Sequence, residues 1–510
     1  MNALTPHHQI AVIGAGAMGS GIAQVALNAG HRVVLYDAAP AALERGIALI
    51  DSAYRRLLEK GRIDAAAHAE RMGRLRQAVS LDDLAGAALV IEAIVENLDV
   101  KATLLREVEA LVAQDTIIAT NTSSLSVTAI AARLRRPGQV AGLHFFNPAP
   151  VLPLVEIVSG KATLPAVADT LFATARAWGK VPVRCASTPG FIVNRVARPF
   201  YGEALRLLSE RAADVATLDA VLRDCGGFRM GAFELMDMIG HDVNYAVTRS
   251  VYDAMYQDPR YQPSLLQKEL VDAGWLGRKS GKGFYDHQAD AVRPAPRVAG
   301  AAAAPRQVTI EGELGVAAPL AELARAAGLA LDQIDAPAGR LRVDGVLLAL
   351  TDGRTATRRL AGGDGVAVVF DLAADYAKAA TIAIAVADGA PAGALEAATG
   401  LFQALGKQVI VVDDVPGLVV MRTVAMLANE AADVVQQGVA SAGDADLAMV
   451  NGVNYPRGPL AWADAVGPAV IEQVLANLAA HYGEERYRSA PLLQRRALTR
   501  QPLHAPEAAR

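Results

Sequence analysis

The sequence predicts an α/β domain built on a doubly wound sheet, followed by an all-α domain that occurs twice. Two observations predict this architecture. Short apolar runs alternate with helix-like segments through the first part of the chain, as in sheets that carry helices on both faces. A segment near the middle of the chain then returns at a constant offset, the one that takes Pro189 to Pro416. A constant offset of this kind indicates a duplicated domain.

The composition limits the class of protein. A chain of 510 residues is too long for one hydrophobic core, and a prior of about 150 residues per domain predicts three or four domains. The net charge of −4 gives no general attraction to nucleic acid or to an anionic membrane, so we expect neither as a partner. Residues 1–9 lack the features of a signal peptide, and polar residues interrupt every long apolar run. We therefore expect a cytoplasmic protein.

Cysteine and histidine usage argues against a metal site. Cys185 and Cys225 are the only cysteines, so a disulfide framework or a cysteine zinc site is excluded and a reducing compartment is favoured. The nine histidines are scattered along the chain. The expected chemistry is therefore metal-free.

The first strand leads into a glycine-rich turn. Residues 9–13 form an apolar run that ends in Gly14, Ala15, Gly16, Ala17, Met18 and Gly19 and continues into a helix-like segment. Gly14 makes the tight turn, Gly16 lets the backbone approach a pyrophosphate, and Gly19 allows close packing of helix on strand. This order predicts a Rossmann-type dinucleotide site, with Ala17 and Met18 among the cofactor contacts.

Asp37 closes the second strand, residues 32–36, about 20 residues beyond the glycine turn. An acid at this point accepts hydrogen bonds from the adenosine ribose and repels a 2′-phosphate, which favours NAD over NADP. The alternative is an ordinary helix cap ahead of Pro40.

Polar residues follow three further strand candidates, at residues 89–91, 117–119 and 140–143. They are Glu92 and Glu96, then Asn121, Thr122, Ser123 and Ser124, then His144 and Asn147. The carboxyl ends of strands meet at the ligand site of a doubly wound sheet, so we expect these side chains to converge.

His144 and Glu156 are candidates for acid-base chemistry. A neutral His held by a carboxylate takes a proton near neutral pH, because the carboxylate orients the ring and stabilises the imidazolium. This makes His144 the leading candidate for a general base. The alternative is that His144 caps a strand and that Glu156 is a surface acid.

Motifs in order through residues 9–286 resemble the 3-hydroxyacyl-CoA dehydrogenase family. They are Val95-Glu96-Asn97-Leu98 with Lys101, the run from Ala119 to Leu125, the run from Gly142 to Pro148, the run from Thr188 to Arg195, and the run from Leu276 to Tyr285. The last two resemble the opening and closing segments of the helical second domain of this family. The resemblance implies oxidation of an (S)-3-hydroxyacyl-CoA to the 3-oxoacyl-CoA, with hydride transfer to NAD.

The resemblance also implies residue roles. His144 would be the base, assisted by Glu156, while Ser123 and Asn194 would bind the reacting oxygen and orient the acyl-CoA. The further cofactor contacts that it implies are Glu96, Lys101, Ser123, Asn147 and Lys279. Lys60 lies where the family has a CoA-contacting lysine, but Ala53 replaces an expected serine, and a solvated helix end is the alternative for Lys60.

The substrate is less well specified than the reaction. The length and the tandem helical domains resemble the family members that act on 3-hydroxyadipyl-CoA in bacterial phenylacetate degradation. This resemblance implies that substrate, and 3-hydroxybutyryl-CoA is the nearest alternative. A dicarboxylic acyl tail requires a cation, for which Arg195, Arg198 and Arg229 are candidates. A non-catalytic cofactor-binding scaffold is the alternative from another class of protein.

The repeat predicts that the second copy is inactive. At the offset of the duplication, Asp371 stands opposite His144, Ala383 opposite Glu156, and Met421 opposite Asn194. The predicted domains are an NAD-binding domain (1–187), a helical domain (188–287), a linker (288–305), a degenerate α/β remnant (306–412) and a second helical domain without catalytic residues (413–510).

The duplication also suggests an assembly. Single-copy members of the family resemble dimers that pack helical domain on helical domain, so a second copy could supply that apolar face within one chain. We therefore expect either a homo-oligomer or an intrachain pseudo-dimer of helical domains. A chain that lacked residues 300–510 would then expose hydrophobic surface.

Overall fold

The computed structural model describes residues 3–505, so the first two and last five positions of the predicted domains lie outside the described residues. The chain divides into two compact units. The first comprises the residues up to Arg195 together with Gln437–Val453, and the second comprises Val196–Gln436 together with the residues from Asn454 onward. None of the described helices is long and apolar enough to cross a membrane.

The first unit is built on an eight-stranded sheet. Its strands are β1 (Gln9–Ile13), β2 (Val33–Tyr36), β3 (Leu75–Gln77), β4 (Ala87–Glu92), β5 (Ile117–Thr120), β6 (Val140–Phe145), β7 (Leu154–Ser159) and β8 (Val181–Ala186). The strand order is β3-β2-β1-β4-β5-β6-β7-β8. The first six strands are parallel, whereas β7 runs antiparallel to β6 and parallel to β8. The predicted doubly wound sheet is confirmed.

Helices cover both faces of this sheet. They are α1 (Ala17–Asn28), α2 (Pro40–Glu59), α3 (Ala65–Gly73), α4 (Leu98–Leu111), α5 (Val127–Ala131), α6 (Pro165–Ala177) and α7 (Val193–Val196). Alternate residues of β1 enter different cores: Ile10 and Val12 belong to one buried cluster, and Ala11 and Ile13 to the other. A strand buried on both faces has to be apolar throughout, which is why residues 10–13 carry no polar side chain.

The second unit contains a seven-stranded sheet. Its strands are β9 (Val308–Glu311), β10 (Leu331–Ile334), β11 (Arg340–Val343), β12 (Val346–Leu350), β13 (Val366–Phe370), β14 (Thr381–Val386) and β15 (Gln408–Val411), in the order β10-β9-β11-β12-β13-β14-β15. The last four strands repeat the pairing directions of β5 to β8: parallel, antiparallel, parallel. The helices between these strands are α13 (Pro319–Ala326), α14 (Ala356–Arg359) and α15 (Ala394–Ala404).

Each of the two sheets has a buried lysine at the same position of the repeat, and the two lysines bond in the same way. The Lys180 ammonium donates to the carbonyl oxygens of Ala149 and Leu152. At the offset of the repeat, the Lys407 ammonium donates to the carbonyl oxygens of Tyr376 and Ala379. Burial lowers the pKa of both lysines. The duplication therefore extends back from the helical domain into the second half of the sheet.

The other helices form the two helical copies. In the first copy they are α8 (Arg198–Ser209), α9 (Val215–Ala220), α10 (Ala232–Ile239), α11 (His241–Ala254) and α12 (Leu265–Asp272). In the second copy they are α16 (Val420–Gln436), α17 (Ala442–Val453), α18 (Pro459–Val466), α19 (Pro468–Tyr482) and α20 (Pro491–Thr499). Of these, α17 belongs to the first compact unit and the others to the second.

Within the second unit, the two copies exchange buried ion pairs. Glu203 on α8 accepts from Arg486 Nη2 at 2.5 Å, from Arg422 Nε at 2.7 Å and from the Tyr487 hydroxyl at 3.1 Å. Glu203 and Arg422 are both fully buried. Burial alone would raise the pKa of Glu203, but Arg486 and Arg422 outweigh it and lower the pKa to about 2. The first copy thus holds its glutamate with an Arg-Tyr pair of the second.

The reverse exchange is also present. Glu430 on α16 is the counterpart of Glu203, and it accepts from Arg260 Nη1 at 3.3 Å and from the Tyr261 hydroxyl at 2.6 Å. An Arg-Tyr pair of the first copy therefore holds the glutamate of the second. Such reciprocal contacts are typical of an isologous interface, in which each partner uses the same surface.

We expect Glu203→Gln to weaken this interface in a pH-dependent manner. The pKa of the carboxyl is about 2, against 4.5 for an ordinary glutamate, a difference that corresponds to about 3 kcal/mol of unfolding free energy. Because the folded-state pKa is depressed, this stability is present above about pH 4.5 and is lost as the pH falls toward 2. Chemical denaturation of both proteins across this range measures the difference.

Glu484→Gln is the matched control for this substitution. Glu484 pairs with Arg206 at 2.7 Å, but its side chain is 41% exposed, so its removal costs below about 1 kcal/mol. Equal losses in the two variants, or a loss in Glu203→Gln that did not change between pH 7 and pH 2, would contradict the assigned role of Glu203.

Candidate active site

The glycine turn has the geometry that a dinucleotide requires. Gly14 has a φ of +99°, and a Cβ atom there would lie 2.5 Å from the carbonyl oxygen of Ala93. A Cβ atom on Gly19 would lie 1.7 Å from the carbonyl oxygen of Gly14. A Cβ atom on Gly16, by contrast, would meet none of the described residues within 4 Å. Packing thus requires Gly14 and Gly19, while Gly16 leaves open space before the N-terminus of α1, where a pyrophosphate is stabilised.

Asp37 is anchored beside this turn. Its Oδ2 accepts from the Ala15 N–H at 2.8 Å, and its Oδ1 accepts from the Ala39 N–H at 2.9 Å. A cavity of about 840 Å³ opens next to it. Its lining includes Gly14, Gly16, Tyr36, Asp37, Leu81, Val95, Val100 and Leu104. An apolar cavity with a carboxylate near the glycine turn fits the adenosine half of NAD.

Glu96 holds the loop that follows β5. Its Oε1 accepts from the Thr122 hydroxyl at 2.5 Å, from the Ser123 N–H at 3.0 Å and from the Ser124 N–H at 3.1 Å. Burial alone would raise the pKa of Glu96, but the Thr122 hydrogen bond and the charge of Lys101 outweigh it and lower the pKa. Glu96 therefore fixes the backbone from which Ser123 projects.

Lys101 is part of the same network. Its side chain is buried, and its ammonium lies 2.6 Å from Glu92 Oε1 and 3.3 Å from Glu96 Oε2. The structure thus brings Glu96, Lys101 and Ser123 together as one cluster. That Glu96 and Lys101 also contact the cofactor stays a prediction.

His144 and Glu156 form a buried pair. They lie directly opposite each other in the antiparallel register of β6 and β7, which places their side chains next to each other on one face. His144 Nδ1 lies 2.7 Å from Glu156 Oε2, and the two residues are 5% and 0% exposed. The ring centroids of Phe146 and Phe191 lie 4.5 and 5.8 Å from the centroid of the imidazole. The alternative that Glu156 is a surface acid is wrong.

The second oxygen of Glu156 holds the start of α7. Glu156 Oε1 accepts from the Ile192 N–H at 3.1 Å and from the Val193 N–H at 2.9 Å. A carboxylate at a helix N-terminus is stabilised by such donors and by the helix dipole. Asn194 follows directly in this helix, so one carboxylate positions both the imidazole of His144 and the helix that carries Asn194.

The second copy keeps a carboxylate that holds the helix start, but it has no His-Glu pair at the corresponding positions. The Asp371 N–H donates to the carbonyl oxygen of Ala383 at 2.9 Å, which is the register that the repeat predicts. Asp371 Oδ2 accepts from the N–H groups of Val419 and Val420 at 2.9 and 2.7 Å, the counterparts of Ile192 and Val193. Asp371 thus holds the helix start as Glu156 does, but from the position that corresponds to His144.

The structure also shows the surroundings of three other residues that are predicted to contact cofactor or CoA. Asn147 is exposed beyond the end of β6, and Lys60 is an exposed residue at the C-terminal end of α2. Lys279, in the second unit, forms an ion pair with Asp242 at 2.5 Å. Their predicted roles toward cofactor or CoA stay predictions.

Asn121 is one of the polar residues that we expect to converge at the strand ends, although the sequence assigns it no role of its own. Its Oδ1 accepts from the Phe145 N–H at 2.8 Å and so fixes the end of the strand that carries His144. The signal for it was its place at the carboxyl end of β5, beside the strand that leads to His144.

Comparison with known proteins identifies the family of the chain. Residues 9–188 match the family "3-hydroxyacyl-CoA dehydrogenase, NAD binding domain". Residues 190–287 and again 417–503 match "3-hydroxyacyl-CoA dehydrogenase, C-terminal domain". The chain belongs to the 3-hydroxyacyl-CoA dehydrogenase family. It is an NAD-dependent oxidoreductase of this family, and the repeat of the helical domain is confirmed.

Residues 348–416 match a further family, "3-hydroxybutyryl-CoA dehydrogenase reduced Rossmann-fold domain". This match agrees with the degenerate α/β segment that the sequence predicts, and it covers the strands β12 to β15.

Relatives of two lengths are found. The 3-hydroxyadipyl-CoA dehydrogenase of Escherichia coli is 46% identical over 96% of this chain and 97% of its own. The 3-hydroxybutyryl-CoA dehydrogenase of Clostridioides difficile is 38% identical over 55% of this chain and 99% of its own. A solved structure titled 3-hydroxybutyryl-CoA dehydrogenase from Escherichia coli has a TM-score of 0.89 and 44% identity, and covers 98% of this chain and 99% of its own.

We expect Asp37→Ser to weaken the preference for NAD over NADP by about tenfold or more, equivalent to about 1.4 kcal/mol. The substitution removes the carboxylate that accepts from a ribose hydroxyl and repels a 2′-phosphate. The ratio of kcat/KM for the two cofactors measures it. Asp115→Ser, which changes an exposed acid of the same unit, should leave the ratio unchanged. A ratio unaltered by Asp37→Ser would show that Asp37 only caps the loop.

Proposed function

We propose that this protein oxidises (S)-3-hydroxyacyl-CoA thioesters with His144 as the general base, and that 3-hydroxyadipyl-CoA is its physiological substrate. The observation that carries the assignment of the base is the buried hydrogen bond between His144 Nδ1 and Glu156 Oε2. A base of this kind, held by a carboxylate in a family that transfers hydride to NAD, is suited to remove a proton from an alcohol.

The hydrogen bond between His144 and Glu156 supports a choice between the two ring nitrogens. Glu156 engages Nδ1, so Nε2 is the nitrogen that takes the proton of the substrate 3-hydroxyl. Glu156 then stabilises the imidazolium without taking the proton itself. NAD, when bound, accepts the hydride from C3.

Ser123 and Asn194 hold the reacting oxygen in this proposal. Ser123 projects from the loop fixed by Glu96, and Asn194 from the helix fixed by Glu156. Hydroxyl and amide groups on anchored backbone can stabilise the emerging carbonyl without reorganisation.

The proposal of a dicarboxylic acyl chain is supported by the name of one relative. The Escherichia coli relative that matches 96% of this chain is named for 3-hydroxyadipyl-CoA, whereas a solved Escherichia coli structure that covers 98% of this chain is named for 3-hydroxybutyryl-CoA. Arg198 is buried, donates to the Thr248 hydroxyl at 3.0 Å and lines a cavity of about 420 Å³ in the second unit. Arg195 bonds to Gln437, and Arg229 is exposed. Arg198 therefore stays a candidate cation beside a cavity of the second unit.

We further propose that the protein acts in the cytoplasm as an intrachain pseudo-dimer. The reciprocal contacts of Glu203 and Glu430 support this assembly, since each copy holds the glutamate of the other with an Arg-Tyr pair. The second copy would then provide within one chain the surface that a partner subunit provides elsewhere.

We expect His144→Ala to lower kcat by about 10² to 10⁴-fold, the range that a general base contributes. Binding of NADH, followed by its fluorescence, should stay unchanged because the glycine turn is intact. His68→Ala is the matched control: His68 also bonds a carboxylate, Asp51, at 2.7 Å, but this bond joins α3 to α2 and not β6 to β7. Normal turnover in His144→Ala would overturn the assignment of the base.

The substrate assignment predicts a higher kcat/KM for 3-hydroxyadipyl-CoA than for 3-hydroxybutyryl-CoA and a longer monocarboxylic 3-hydroxyacyl-CoA. A wild-type preference for the butyryl substrate would contradict the assignment.

A further inference from the structure

Residues 437–453 belong to the second helical copy in sequence, but they are part of the first compact unit, which also contains His144 and Glu156. The carbonyl oxygen of Val439 accepts from the Ala186 N–H at 2.8 Å, at the end of the edge strand β8. Arg195 Nη1 donates to Gln437 Oε1 at 2.9 Å. Arg195 is the residue next to Asn194, so the segment is attached beside the helix that carries a predicted catalytic side chain.

Within this segment, the last turn of α17 lies next to Leu154 and Val193. A Cβ atom on Gly452 would lie 2.6 Å from Leu154 Cδ2 and 3.1 Å from Val193 Cγ2. Leu154 is on β7 two residues before Glu156, so the two side chains share a face of the strand. Val193 donates its N–H to Glu156 Oε1 at 2.9 Å and directly precedes Asn194. A side chain on Gly452 would thus press on a neighbour of Glu156 along β7 and on a residue that donates to the Glu156 carboxylate.

Helix propensity does not explain a glycine at this position. Glycine within a helix costs about 1 kcal/mol relative to alanine, so Gly452 weakens α17 as a helix. The counterpart of Gly452 in the first copy is Cys225, whose thiol donates to the carbonyl oxygen of Leu372 at 3.3 Å beside the degenerate sheet. A side chain fits where the neighbouring sheet lacks the His-Glu pair, and glycine occurs where that pair is present.

We infer that Gly452 is a positioning residue for catalysis. Its missing side chain lets Leu154 and Val193 keep the spacing at which Glu156 holds both His144 and the start of α7. The inactive copy thereby sets the geometry of the active one. This inference rests on the proposed roles of His144, Glu156 and Asn194.

The test compares Gly452→Ala with Gly443→Ala in the full-length protein. Gly443 lies in the first turn of α17, and among the described residues a Cβ atom there would meet only Ser441 Oγ, at 4.0 Å. Both substitutions replace glycine by alanine in a terminal turn of the same helix, so the main difference between them is what the new methyl group contacts. We expect Gly452→Ala to lower kcat about tenfold while KM for NAD and the thermal midpoint stay close to wild type, and Gly443→Ala to leave all three unchanged.

A compensating substitution separates positioning from damage to the fold. Leu154→Val removes the Cδ2 atom that the new methyl group would meet, so the double variant Gly452→Ala with Leu154→Val should recover most of the lost kcat. Leu154→Val alone serves as the reference. The double variant also serves if Gly452→Ala alone is poorly folded. A double variant that is soluble but has not recovered kcat counts against the inference.

Two results would overturn it: wild-type kcat in Gly452→Ala, or a loss of kcat that Leu154→Val does not restore. His144→Ala, assayed in parallel, keeps the two proposals apart. Turnover in His144→Ala refutes the assigned base whatever Gly452→Ala does. An inactive His144→Ala together with a fully active Gly452→Ala refutes only the positioning role.

Discussion

The carboxylate of Glu156 is the interaction on which the catalytic unit depends. A fully buried carboxylate is costly unless hydrogen bonds replace its lost solvation, and here three donors do so: His144 Nδ1 and the N–H groups of Ile192 and Val193. These donors come from a neighbouring strand and from the first turn of α7. The same bonds that make burial of Glu156 tolerable therefore join the sheet to the helix that carries Asn194, and they orient the imidazole.

The second copy shows that the structural and chemical parts of this arrangement are separable. Val419 and Val420 open a helix that again requires an acceptor, and Asp371 provides it from the strand that corresponds to that of His144. With the acid in that position and Ala383 opposite, there is no imidazole to orient. The exposed N–H groups of a helix start have to be satisfied in both copies, whereas a base is needed in one.

The exchange of segments between copies gives the duplication a physical reason. The Ala186 N–H bonds to the carbonyl oxygen of Val439, and at the repeat offset the Asp413 N–H bonds to the carbonyl oxygen of Ala212, both at 2.8 Å. The last residue of β8 and a residue just after β15 thus each bond to the helical copy that does not follow directly in the chain.

The sequence by itself determined the sheet, the nucleotide turn, the repeat and the candidate His-Glu pair, because each depends on local signals. Apolar runs, the spacing of Gly14, Gly16 and Gly19, and a constant offset are all readable along the chain. Only the tertiary structure decided which side chains satisfy one another. That Glu156 holds α7, that Glu96 holds the Ser123 loop, and that Gly452 lies against Leu154 and Val193 are contacts between residues far apart in sequence. Their formation depends on burial and on the matching of donors with acceptors, which no local pattern records.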